Sequence, residues 1–344
     1  MSAAVALGAL DRTRRERRMH GARTTGILTA VGVALAITAL AVGSVAIAPA
    51  DVIGALAGTA DGGAQFIVRE LRLPRLTLAL VVGAALGMAG ALLQSVVRNP
   101  LASPDIVGVT GGASAAAVLA IGAGATGLAV TGSALVGAAA AIVLVLAAAG
   151  RQLGGTRIVV VGIAVAFLAQ GVLGYALTRA RLEQADSAYF WLVGSVGSPS
   201  TPETLVLGML VAVVAIGTVL GRGALAAQLL GDETATAVGS RPRRTRILAV
   251  AASTVLAAAS VAVAGPLAFV AFVAGPIARR LRGGGPAVLT AALVGAVLVL
   301  ASDLVAQNLI PGSLQPPAGL VTGAVGAPLL VWLLIRAARQ EGRA

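Results

Sequence analysis

Ten stretches of apolar sequence, joined by short polar or proline-bearing links, constrain this chain more than any other feature. They fall near residues 26–48, 76–97, 106–124, 128–149, 158–178, 204–221, 247–264, 267–278, 287–306 and 318–335. A helix takes about 20 apolar residues to cross a bilayer, where no water is present to satisfy exposed backbone groups. Most of the ten reach that length. With 58% hydrophobic and 11% charged residues over 344 positions, the chain is not an ordinary soluble domain, in which about 25% of residues are charged. Nor is it a disordered one, which needs low hydrophobicity. The pattern predicts an all-α integral membrane protein: a compact bundle of about ten transmembrane helices over 26–338, between an Arg-rich tail (1–25) and a short C-terminus (339–344). The first run, 23 residues by position, is too long for the 7–15-residue core of a signal peptide and is read as the first span. The run 267–278 is short and bracketed by Pro266 and Pro276, so a partial or broken span is expected there.

Charge orients the bundle. All 25 basic residues are Arg. Threading the ten runs alternately across the membrane leaves 20 of them on one side, the tail included, and five on the other: Arg69, Arg72, Arg75, Arg179 and Arg181. Cytoplasmic loops collect basic residues, so both termini are expected inside, and one span more or fewer in the middle would scramble the split. The same composition removes whole classes of chemistry. Without Lys there is no Walker A lysine, so this chain is no P-loop ATPase by itself. Without Cys there are no thiolate nucleophiles, iron–sulfur clusters or disulfides. The single His, His20, sits in the tail, which leaves no His-based metal site or buried proton relay. The net charge of +12 reports orientation rather than nucleic acid, because the arginines flank spans and do not alternate with aromatics along a face. Tyr189, Phe190, Trp191 and Trp332 are read as anchors at the membrane interface.

The spans are rich in small residues, and Gly83 and Gly87 stand in the G-x-x-x-G spacing that lets helices approach closely in lipid. Three segments are too polar for such a chain. Arg69-Glu70-Leu71-Arg72-Leu73-Pro74-Arg75 gathers three of the five outer arginines against the positive-inside tendency. Either helix-end snorkelling or an external docking surface for an acidic partner accounts for it. Gln94 to Asp105, with Asn99-Pro100 and Pro104, is a rigid inner link between the second and third spans, serving as a turn or as part of a cytoplasmic gate. Residues 222–246 form the longest internal cytoplasmic loop. There Asp232, Glu233 and Thr234 suit a helix N-terminus and Gly239 a C-cap. A short helix on the cytoplasmic face is predicted, either a solvated connector or a lever for a soluble motor.

At these residues the sequence resembles the ABC importer permeases for iron-siderophores, haem and cobalamin, over nearly the whole chain after the tail. The markers run in order: R-x-P-R at Arg72 to Arg75; the glycines leading to Gln94 and then R-N-P-L-A-x-P at Arg98 to Pro104; Gly108 with Gly111-Gly112-Ala113; L-G-x-x-x-A-x-x-x-G from Leu230 to Gly239. After these come Gly265-Pro266-Leu267-Ala268-Phe269-Val270, Ala278-Arg279-Arg280, Asp303, Pro317-x-Gly319 and Gly326-Ala327-Pro328. Within that family, the segments 98–108, 231–246 and 302–307 look closest to ferric enterobactin permeases.

The resemblance implies a type II ABC importer permease in the plasma membrane of a bacterium, with a ferric siderophore of catecholate type as cargo. It also implies a second, homologous permease, two ATPase subunits that carry ATP and magnesium, and an extracytoplasmic substrate-binding lipoprotein. Residue by residue, it implies docking of the binding protein at Arg72 and Arg75, and a cytoplasmic gate near Asn99, Pro100 and Thr156. Coupling to the ATPase falls to Gly231, Asp232, Glu233, Ala235 and Gly239. Departures are plain: Gln307 stands where cobalamin importers carry a third docking Arg, Ile277 replaces the His of a Pro-His pair, and Pro316-Pro317 adds a proline before Gly319. The rival class is a single-chain secondary transporter or channel, which would bury ionisable residues along its path. Only Asp303 lies well inside a predicted span, with Asp105 near an inner end, and Asp303 is expected to hydrogen-bond near a helix end rather than bind a cation. A membrane enzyme would need paired carboxylates, His or Cys that this chain lacks. No cofactor or metal of its own and no nucleic acid are expected. Cobalamin or haem stays open as an alternative cargo.

Overall fold

A computed structural model describes residues 3–149, 155–197, 199–308 and 316–341. Among them every regular element is helical. In chain order these are α1 (Ala3–Ala41), α2 (Pro49–Ala57), α3 (Gly62–Phe66), a π-turn (Ile67–Arg72), α4 (Leu73–Val97), a 3₁₀ turn (Pro104–Val107), α5 (Val109–Gly122), α6 (Leu128–Ala149), α7 (Gly155–Arg179) and α8 (Leu182–Val193). They continue with α9 (Thr201–Leu220), α10 (Arg222–Gln228), α11 (Asp232–Ala237), α12 (Pro242–Ala264), α13 (Val270–Arg282), α14 (Val288–Asn308) and α15 (Ala318–Glu341). Each of the ten apolar stretches overlaps a helix, without matching its bounds throughout. Among the described residues, seven helical segments are long and apolar enough to cross a membrane, while Val109–Gly122 and Ala318–Trp332 are apolar but shorter. The 13-residue α13 ends in Arg279, Arg280 and Arg282. Large apolar side chains such as Val136, Phe167 and Val213 on α6, α7 and α9 point outward, the reverse of a soluble fold and the arrangement lipid demands.

Small residues set the core. α4 is buried along most of its length, and its neighbours reach it backbone to backbone. A Cβ added to Gly83 would lie 2.4 Å from the Gly295 carbonyl oxygen, and one added to Gly87 would lie 2.1 Å from that of Ala291. The G-x-x-x-G face of α4 is therefore the contact with α14, which answers with Ala291 and Gly295 at the same spacing. On α4's other sides, Gly90 meets the backbone of Ala271 in α13, and Ser253 of α12 donates to the Ala89 carbonyl at 2.7 Å. In lipid this close packing and the interhelical hydrogen bonds stand in for the hydrophobic effect.

Two helices depart from the sequence expectation for reasons that proline explains. The apolar run 26–48 is helical only to Ala41, and α2 begins at Pro49 in the N1 position. Before α4, Pro74 lacks an N–H and its ring crowds the carbonyl four residues back, so the preceding turn opens to a π-turn over Ile67–Arg72. In α13, Pro276 cannot donate to the carbonyl of Phe272. Gln94 of α4, 3% exposed, donates its Nε2 to that carbonyl at 3.0 Å instead, and its Oε1 accepts from Arg279 at 3.0 Å. Gly275 makes room, since a Cβ there would lie 2.1 Å from the Gln94 oxygen. Only the entry to α13 is broken: the chain leaves α12 at Gly265, runs non-helically to Phe269 and becomes helical opposite Gly90, whereas Pro276, expected to bracket the run, lies inside a helix that continues to Arg282.

Candidate functional site

The polar side chains collect at the two ends of the bundle. At one end, Arg72 donates Nη1 to the Leu40 carbonyl at 2.7 Å and Nη2 to the Val45 carbonyl, which satisfies orphan acceptors where α1 ends. Arg69 does the same for the Leu56 carbonyl at 2.6 Å. The hydrogen bonds of both guanidiniums go to backbone carbonyls, which leaves their positive charge at this surface. Arg75 differs. Its Nε and Nη2 fork onto Asp303 of α14 at 3.0 and 2.8 Å, and Gln307 donates to the same carboxylate at 2.6 Å. Asp303 is 3% exposed. The hydrogen bond expected of Asp303 is thus an ion pair, and Gln307, one turn on, completes it. The same end holds a backbone joint in which Gly319 donates to the Gly194 carbonyl at 3.0 Å and Ser195 to that of Ala264 at 2.7 Å. A Cβ on Gly319 would lie 1.7 Å from the Val193 oxygen, and Pro316-Pro317 ends where α15 starts, a position a proline tolerates. Beside this joint an open cavity of about 970 Å³ is lined by Thr126, Glu183, Asp186, Trp191, Ser195 and Glu203 among others, with no basic residue.

The opposite end carries the arginines. Asp232, the first residue of α11, accepts from Arg246 of α12 at 2.8 and 2.9 Å and from Arg98 at 3.2 Å. α11 follows Gly231, whose φ of +98° suits glycine. It closes at Gly239 (φ +79°), whose N–H reaches Thr236 at 2.9 Å while Ser240 N–H reaches Ala235 at 2.9 Å, the paired bonds of a Schellman stop. Ala235 is fully buried; Glu233, Thr234 and Thr236 are exposed. Buried Gln228 clasps the loop by donating to the Pro242 carbonyl at 2.8 Å. The helix expected over 231–239 is therefore present and held on a closed platform.

The link after α4 is also ordered by its own residues. Asn99 Oδ1 accepts from Leu101 N–H at 2.8 Å, Ser103 Oγ donates to Asp105 at 2.9 Å, and Thr110 donates to Asp105 as well. Asn99 and Pro100 are exposed. Thr156 lies in the first turn of α7, and its side chain is outside the described residues. Three partnerships were not legible in the sequence: Arg75 with Asp303, Gln94 with α13, and Arg98 with Asp232. They join residues 228, 178 and 134 positions apart.

A close-packed bundle of apolar helices, several of them long enough to cross a bilayer, defines a polytopic membrane protein. The chain belongs to the FecCD transport family, matched over residues 29–336. It is 37% identical over 320 residues to the ferric enterobactin transport system permease protein FepG of Escherichia coli (strain K12), covering 92% of this chain and 96% of that one. It is 38% identical over 314 residues to the achromobactin transport system permease protein CbrC of Dickeya dadantii (strain 3937), covering 88% of each. Other relatives are permeases for Fe(3+)-citrate, iron(3+)-hydroxamate and vitamin B12. The fold is similar to a solved metal-chelate type ABC transporter in an inward-facing conformation, with a TM-score of 0.81 at 26% identity over 91% of this chain and 98% of that one. The protein is an ABC importer permease of the siderophore and metal-chelate class and a multi-pass protein of the bacterial cell membrane.

Proposed function

We propose that this chain is one permease subunit of an ATP-driven ferric-siderophore importer, working by alternating access with a second permease, two ATPase subunits that hold ATP and magnesium, and an external substrate-binding lipoprotein. The observation that carries the reading is α11, a short helix clasped on a closed platform at the arginine-rich end, with one face buried and one free. A lysine-free chain has no motor of its own, and a helix held in this way is what a soluble motor would grip. Ten spans with both termini inside agree with this: the ends of α4, α11, α12 and α13 that meet through Arg98, Asp232, Arg246 and Arg279 are those that alternate threading puts on one side. In this reading Gly231, Asp232, Glu233, Ala235 and Gly239 form and present the coupling helix, and the Asn99-Pro100 link with Thr156 borders the cytoplasmic gate. At the other end Arg72 and Arg75 belong to the docking surface, Arg72 through its uncompensated charge and Arg75 by pinning α4 to α14.

A catecholate chelate leads as cargo because of the likeness to FepG. A second reading comes from the cavity at the docking end. Its carboxylates, Glu183, Asp186 and Glu203, repel a polyanionic ferric catecholate and tolerate a neutral or cationic chelate such as a ferric hydroxamate. The test is uptake into proteoliposomes holding the full complex and loaded binding protein, with ferric enterobactin and a ferric hydroxamate compared at equal occupancy. ATP-dependent uptake of either supports the importer, and the preferred chelate settles the cargo. Solute crossing by this chain alone, without nucleotide, would overturn the reading.

A further inference from the structure

We propose that Asp232 is a positioning residue that ties the motor-facing helix α11 to the link after α4, so that movement of α11 is passed through Arg98 to Asn99 and Pro100 and on to α7. The proposal rests on the importer reading above. Its geometry begins with one carboxylate shared by two arginines from separate elements, Arg98 at 3.2 Å and Arg246 at 2.8 Å. Arg246 fastens Asp232 to α12, directly after the platform. Arg98 fastens it to a segment 134 residues earlier.

Arg98 occupies a place where a side chain is unfavourable. It closes α4 with φ +56° and ψ +31°, the left-handed conformation in which glycine is the usual helix stop. A bulky residue there is explained by what its guanidinium reaches, which is Asp232 and the chain at Gly231, where an added Cβ would be in ordinary contact with Arg98 Nη1 at 3.4 Å. The link beyond Arg98 is built to move as one piece. Asn99 brackets Leu101 and Ala102 with hydrogen bonds of 2.8 and 3.1 Å, and Asp105 gathers Ser103 and Thr110. Its far end is seated on α7, since Gly108, with φ +84°, leaves only 3.1 Å between an added Cβ and the Gly162 carbonyl oxygen. A displacement of α11 thus meets a chain of fixed contacts from Asp232 to α7 with one separable joint, the Arg98–Asp232 pair. That joint is half-exposed, with side chains 42% and 46% accessible. Exposed ion pairs add little to stability, so losing it should spare the fold and show in transmission.

The experiment uses the full complex in nanodiscs. The chain has no cysteine, so spin labels are introduced at Thr234 and Leu101 as cysteine variants, and distance distributions are read without nucleotide and with ATP plus vanadate. A reference pair at Thr234 and Ser187 reports whether nucleotide moves α11 relative to the opposite end. The expected result is a reference pair that shifts with nucleotide and a Thr234–Leu101 distance that stays narrow, because helix and link travel together. Asp232→Asn should broaden that distance, and Asp232→Glu should restore it, which a general packing role would not produce. Arg98→Gln, which leaves the Asp232–Arg246 pair intact, should broaden it too and serves if Asp232→Asn fails to assemble. A narrow distance in both Asp232→Asn and Arg98→Gln, with a responsive reference pair, overturns the joint alone. A reference pair that ignores nucleotide in the unsubstituted complex overturns the importer reading together with it.

Discussion

Among single residues, Arg72 and Arg75 illustrate how one residue type serves different ends. Arg75 is committed to Asp303, whose carboxylate is 3% exposed, so removing the guanidinium strands a buried charge. Arg75→Gln should destabilise the bundle by about 3 kcal/mol, the usual cost of breaking such a pair, and Arg75→Gln with Asp303→Asn by clearly less; reversible unfolding in detergent would measure both. Arg72 donates to the Leu40 and Val45 carbonyls and keeps its charge at the surface. Arg72→Glu should therefore weaken capture of the binding protein by about tenfold or more in a pull-down, through lost complementarity, with membrane insertion unchanged. Equal capture by the variant would remove Arg72 from the docking surface.

At the level of elements, α4 depends on glycine wherever a neighbour touches its backbone. A side chain at Gly87 meets the Ala291 carbonyl at 2.1 Å, so Gly87→Val should separate α4 from α14 and cost about 1–3 kcal/mol or more by overpacking. Gly208→Val in α9, where nothing lies within 4 Å, is the matched control and should change little. The spacing of Gly83 and Gly87 announced a close approach, but not its partner, because many helices carry small residues at that interval. α11 was legible through its glycines and its acidic first turn. Gly239→Val, which forces a β-branched residue to φ +79°, should fray α11 and lower the cargo moved per ATP hydrolysed, measured in the reconstituted complex. Normal coupling in a frayed α11 would dismiss it as the lever.

For the whole molecule, the threading makes a direct test possible. Single cysteines placed beside Arg98, Ser240 and Gly284 should react with a membrane-impermeant maleimide only from the cytoplasmic side, and cysteines beside Asp61, Ser187 and Gly197 only from the outside. Any crossed pattern would refute ten spans with both termini inside.

The places of the long apolar helices were written in the sequence, since a run of about 20 apolar residues crosses lipid as a helix, whereas α2 and α8, which lie between those runs, were not. The same local signals marked the ends of α11, the link at Asn99-Pro100 and the broken entry to α13. Which helix meets which was decided only by the tertiary structure. Arg75 finds Asp303, Gln94 fills the bond that Pro276 leaves open, and Arg98 shares Asp232 with Arg246, because each polar group in a dry interior takes the partner that packing brings within about 3 Å. That choice depends on the placement of every helix at once, which no local stretch of sequence contains.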